Sequence, residues 1–157
     1  MNEQIKAEEF AEYLSDDELS KLAPLLDRLS LLEDQKTNQD NYLKFVKKIW
    51  PSFIEGKHHK IYADKLQQVA DGKIKRLIVN MPPRHTKSEF ASYLFPAWLM
   101  GRRPDLKIIQ ATHTAELAVG FGRKVKNLID SDDFRDIFPE IKLATDAKAS
   151  GRWSTNG

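Results

Sequence analysis

The stretch "RLIVNMPPRHTKSEF", residues 76–90, decides how the whole chain is read. Arg76 to Asn80 is a short apolar run of the kind that forms a buried strand. Prolines follow at 82 and 83, and Lys87-Ser88 stands at the expected start of a helix over Ser88–Leu99. A strand that runs into a helix N-terminus can cradle phosphate. Backbone N–H groups and the helix dipole hold the oxygens, a lysine reaches the β/γ oxygens, and Ser or Thr ligates magnesium. Against the pattern G-x-x-x-x-G-K-[ST], residues 81–88 keep Lys87 and Ser88 but place Met81 and Thr86 at the two glycine positions. A Cβ penalises positive φ. The backbone of such a loop is therefore expected to depart from the usual path, with the proline pair stiffening its entry. A plain strand-to-helix corner that carries a lysine is the competing reading.

Two neighbouring features favour an anion. Arg84, His85 and Lys87 gather three potential cations beside a helix N-terminus, where the dipole disfavours positive charge. Further on, "IIQATHT" (108–114) closes a second apolar run, Leu106–Ala111, with small hydroxylated residues. Such a strand end can touch a substrate backbone. Equally, Thr112 or Thr114 can serve as N-cap of a helix over Ala115–Ile129. Strand, helix, strand, helix in this rhythm predicts an α/β unit with a parallel sheet. Arg152–Thr155 reads as the start of a third strand.

Upstream, helices are expected over residues 3–14, 16–35, 41–50 and 59–70. Ser15-Asp16-Asp17-Glu18 has the form of a capping box, and Pro24 is placed to kink or split the helix behind it. Lys36–Asp40 is polar and linker-like, and the charge changes sign there. Residues 1–40 hold 11 acidic and 4 basic side chains, a net of −7; residues 41–157 hold 12 acidic and 21 basic ones, a net of +9. A basic body suits a polyanion such as nucleic acid or nucleotide phosphate, or simply a solvated surface. With 157 residues, 41% of them apolar and none of them cysteine, the chain suits one globular domain without disulfides or thiolate metal sites. No apolar run approaches the roughly 18 residues that span a bilayer, so no membrane partner is expected.

"MPPRHTKSE" (81–89), "PAWLMG" (96–101), the apolar run after it, "GRKVKNLI" (122–129) and "RWSTNG" (152–157) stand in an order that resembles the ATPase domain of large terminase subunits. These are the DNA-packaging motors of tailed bacteriophages, and the likeness runs from about Tyr42 to Gly157. It implies an ASCE-type P-loop NTPase sheet, incomplete in this chain, over residues 41–157, with residues 1–40 as an acidic helical extension. It implies ATP and Mg2+ as ligands, held by Pro83, Arg84, His85, Thr86, Lys87 and Ser88. Lys87 would bind the β/γ-phosphates, Ser88 the magnesium, and Arg84 would sense γ-phosphate charge. Trp50, His58 and His59 fall on the segment that contacts adenine. Arg123 falls where a trans-acting arginine finger of a homo-oligomeric ring would lie. Plainer roles stand beside these: packing or surface histidines, a core tryptophan, and a solvated face of Arg123, Lys124 and Lys126.

The resemblance also implies partners: double-stranded DNA, the portal and procapsid, and a small terminase subunit, in the host cytoplasm and transiently at the procapsid. A motor of this kind needs an apolar strand ending in carboxylates. Leu128-Ile129-Asp130 with Asp132-Asp133 is too short and helical in pattern. That strand and the nuclease domain are thus expected beyond Gly157, and this chain alone is expected to bind nucleotide with little or no hydrolysis. Two other classes remain open: a helicase-like P-loop nucleic-acid ATPase, or a non-catalytic fragment whose acidic arm docks a partner.

Overall fold

The structure, a computed structural model, describes residues 15–144 and 152–156. The helix expected over 3–14 lies outside the described residues. The chain falls into two compact units, residues 1–34 and 35–157. Six α-helices are described: α1 (Asp16–Asp40), α2 (Tyr42–Ile49), α3 (Lys57–Ala70), α4 (Phe95–Arg102), α5 (Ala115–Ile129) and α6 (Asp132–Ile137), with a π-helical segment, Glu89–Leu94, ahead of α4.

In the first unit, the Glu18 half of the expected capping box forms at the start of α1. Ser15 donates from both N–H and Oγ to the Glu18 carboxylate, at 3.0 and 2.7 Å, and these bonds hold the Glu18 carboxyl below its usual range. Pro24 does not split the helix, and the polar run Lys36–Asp40, expected as a linker, continues it. Seven leucines between Leu19 and Leu32 are exposed along α1. Among the described residues, no helix is long and apolar enough to cross a membrane.

The expected parallel α/β sheet is absent: the described residues are mostly helical and contain no strand. Arg76–Asn80 and Leu106–Ala111 carry no regular structure, and Ile78 and Ile109 are 88% and 93% exposed. The physical reason is that a strand belongs to a ladder. An apolar, β-branched run has a high propensity, but that propensity is realised only by packing against cross-strand neighbours. The third expected strand contributes only an isolated antiparallel bridge between Leu143 and Thr155.

Helix-borne aromatics build the core of the second unit instead. Tyr42, Phe45 and Val46, at the i, i+3, i+4 spacing of one helix face, are fully buried on α2. The Tyr42 ring meets Phe90 and Phe95 edge-on at 5.9 and 5.4 Å and Trp98 at 5.2 Å. Phe45 reaches Phe134 and Phe138 at 6.3 and 6.2 Å, which ties α2 to the end of α6. Trp98 donates its indole N–H to Asn38 O, at 3.1 Å, and the Arg102 guanidinium lies 4.7 Å over its ring.

Residues 87–102 form one helical run, π-wound over Glu89–Leu94. Pro96 falls in the first turn of α4. It has no N–H to offer the Ser92 carbonyl four residues back. Gln110 Nε2 donates to that carbonyl, at 2.6 Å, and so pins the second apolar run to this helix.

Candidate functional site

The loop of residues 81–88 enters this helical run with two left-handed residues, Arg84 at φ 62° and Thr86 at φ 57°. Neither is glycine. Left-handed backbone costs an L-residue roughly 1–2 kcal/mol, and a β-branched residue such as Thr86 is a marked outlier there. Thr86 fills the second glycine position of the phosphate-loop pattern. Thr86 thus stands in a backbone region that favours glycine. Backbone curved by left-handed residues can turn successive N–H groups toward one point, a common anion cradle.

An open cavity of about 460 Å³ lies over this loop, lined by Pro82, Pro83, Arg84, Thr86, Lys87, Ser88 and Glu89. The Lys87 ammonium folds back and donates to the Met81 carbonyl, 3.1 Å away. It is thus held at the mouth of the loop by one neutral acceptor that an anionic oxygen can replace. Ser88 and Arg84 are exposed. The ring nitrogen Nδ1 of His85 donates to Pro83 O, at 2.9 Å. Glu89, the one carboxylate of the lining, is engaged by Lys124 from α5 at 3.1 Å.

Three side chains from the upstream helices brace the loop and the turn after it. The His59 ring makes a 2.8 Å bond to Thr86 Oγ1. Tyr62, one turn on along α3, donates its hydroxyl to Lys87 O at 3.2 Å. Burial pushes the Tyr62 phenol up to about 12, so it remains a donor through the neutral range. Tyr42 donates to Phe90 O at 2.7 Å. The Phe90 ring is stacked on by both His59 and Tyr62, at 5.4 and 5.7 Å. His59 and Tyr62 are spaced i, i+3 on the buried face of α3. That periodicity is the signal by which Tyr62, absent from the sequence-derived set, was open to detection.

The remaining expected residues scatter. His58 is exposed and rests against His59 and His85, with ring centroids 3.8 and 5.7 Å apart. Trp50 packs on Phe53 and donates to Ser52 Oγ, at 2.9 Å, and does not line the cavity. Arg123 lies beside a different cavity, of about 690 Å³, with His113, Thr114 and Glu116 at the start of α5. Among the described residues no group of three His, Cys, Asp or Glu side chains is placed to hold a metal ion.

Comparison of the chain with protein families, with curated proteins and with solved structures found no match.

Proposed function

We propose that the loop of residues 81–88 binds the polyphosphate of ATP with Mg2+, and that the chain supplies the nucleotide-binding part of a large terminase subunit. That subunit packages double-stranded DNA into procapsids in the host cytoplasm. The observation that carries the first half is the loop itself: left-handed Arg84 and Thr86 at a curved backbone, followed by Lys87 folded onto Met81 O. The fold makes no contribution to this reading, because the described residues form no parallel sheet. The second half rests on the order of sequence signatures around that loop.

On binding, Lys87 exchanges the Met81 carbonyl for phosphate oxygens, a charge-assisted contact stronger than the neutral one it leaves. Arg84 adds a second cation, and the Ser88 hydroxyl faces the metal that the nucleotide brings. Magnesium would neutralise phosphate charge and fix the β/γ oxygens. With Glu89 engaged by Lys124, no carboxylate of the lining is open to polarise a water, so nucleotide binding with little turnover is expected of this chain alone. Arg123, exposed on α5, would act on a neighbouring subunit in a ring, alongside contacts to portal and small subunit.

Titration with Mg-ATP by calorimetry tests this directly. Lys87→Ala should weaken binding by about 10- to 100-fold, the worth of one charge-assisted hydrogen bond. Equal affinity in the variant rules out the loop as the phosphate site.

A further inference from the structure

The Thr86 hydroxyl stands in a chain of hydrogen bonds whose direction is set from one end. The backbone N–H of Gly56 donates to His59 Nδ1, at 2.9 Å. An Nδ1 that accepts leaves the ring proton on Nε2. Nε2 therefore donates to Thr86 Oγ1, at 2.8 Å, and the Thr86 hydroxyl donates in turn to the His85 carbonyl, at 2.7 Å. Each donor in the sequence Gly56, His59, Thr86 has one acceptor. His59 is 7% exposed, and its ring lies edge-on to Phe53 at 4.8 Å and is stacked on Phe90.

We infer that His59 is a positioning residue for the anion loop: it holds Thr86, through its hydroxyl, in the left-handed backbone that a glycine would reach unaided. The inference rests on the phosphate-binding reading of residues 81–88. A threonine at φ 57° is disfavoured by its own Cβ and branch. The brace that offsets this comes from the N-terminus of α3, twenty-seven residues upstream. The absence of a glycine at position 86 and the presence of a histidine at the third position of α3 are thus two halves of one arrangement. Tyr62, which grips the next carbonyl at Lys87, acts on the backbone and does not replace a contact to the Thr86 side chain.

Two substitutions at position 86 separate positioning from simple packing. Thr86→Ala keeps the Cβ but loses the hydroxyl; Thr86→Gly loses both the brace and the need for it. Mg-ATP affinity should fall about tenfold in Thr86→Ala, the equivalent of one hydrogen bond, and stay within about threefold of wild type in Thr86→Gly. His59→Ala should cost about tenfold in the Thr86 chain and less than about twofold when combined with Thr86→Gly. His59→Gln, whose amide offers both an acceptor and a donor, should restore most of the loss and guards against misfolding of the alanine variant.

Amide hydrogen exchange at residues 84–88, measured without ligand, reads the brace separately. It should quicken in Thr86→Ala and His59→Ala but not further in the double variant with Thr86→Gly. Equal effects of His59→Ala in both backgrounds, by affinity and by exchange, overturn the positioning role. Coupled exchange in a protein that binds no Mg-ATP leaves the brace standing and overturns its role in phosphate binding.

Discussion

Gly101 and Gly120 both lie inside helices, and alanine at each tests the aromatic packing that replaces the expected sheet. In an open helix interior, alanine is more favourable than glycine by about 1 kcal/mol. A Cβ at Gly120 would meet nothing within 4 Å, so Gly120→Ala should gain that full amount. A Cβ at Gly101 would stand 2.6, 2.6 and 2.7 Å from Cδ2, Cε2 and Cζ of Phe138. Carbon atoms settle at roughly 3.5–4.0 Å, so the ring would have to retreat by about 1 Å. It has no place to go. Phe138 is 4% exposed and its ring lies 5.1 Å from that of Phe134 and 6.2 Å from that of Phe45.

Overpacking of this kind costs about 1–3 kcal/mol. Against a propensity gain that is smaller one residue from the end of α4, Gly101→Ala should lose about 0–2 kcal/mol. The two variants should therefore differ by about 1–3 kcal/mol, or roughly 2–4 °C in thermal midpoint for each kcal/mol. Urea unfolding with an unchanged denaturant slope is the assay. Equal stabilisation by both alanines would refute the placement of Phe138 over α4, and with it the helical core.

Two further outcomes follow from the same geometry. Tyr42→Phe removes the buried hydroxyl bond to Phe90 O, which keeps a second donor in the Phe95 N–H; urea unfolding should show a loss of about 1 kcal/mol, and a loss above about 3 kcal/mol would mean that the carbonyl is left unpaired. Burial first, then the neighbouring His58 and His85 charges, lower the His59 pKa against the opposing pull of Glu55. The folded chain thus binds fewer protons than the unfolded one as pH drops below the unfolded value of about 6.5. His59 should make stability highest above that pH and diminish it from there down to the lowered folded pKa. His59→Gln should flatten this limb of a thermal-melt series from pH 8 to 5, and an unchanged limb would exclude His59 as its source.

Local signals in the sequence were legible where the chain satisfies its own backbone. The Ser15–Glu18 box, the Asn41 side chain accepting from Lys44 N–H, the Thr114 cap and the left-handed Gly72 after α3 mark helix ends close to those expected. Residues 76–80 and 106–111 misled because a strand depends on partners distant in sequence, which no local run specifies. Lys36–Asp40 misled in the opposite way. Its composition is that of a linker, but the helix through it is held by tertiary contacts such as Gln35 Nε2 to Asp136 O, at 2.7 Å, and the Trp98 bond to Asn38 O.

In the candidate site, Lys87 and Ser88 stand at the spacing of the phosphate-loop pattern, with Arg84 in the basic cluster before them. The contact of His59 with Thr86 had no such signal, because capping patterns name Ser, Thr, Glu and Gln, and a histidine three residues after Gly56 carries no such label. The mismatch at Thr86 held the clue. A β-branched residue where glycine is expected calls either for a different backbone or for a brace from elsewhere.

Phosphate bound by this chain should sit against the backbone of residues 84–88. The most direct test is amide NMR of the labelled chain during titration with Mg2+ and a slowly hydrolysed ATP analogue. The largest, saturable shifts should fall on the amides of Arg84, His85, Thr86, Lys87 and Ser88, and should need about 10- to 100-fold more nucleotide in Lys87→Ala. Saturation with those amides unmoved, and shifts gathered instead around the His113–Arg123 cavity, would contradict it.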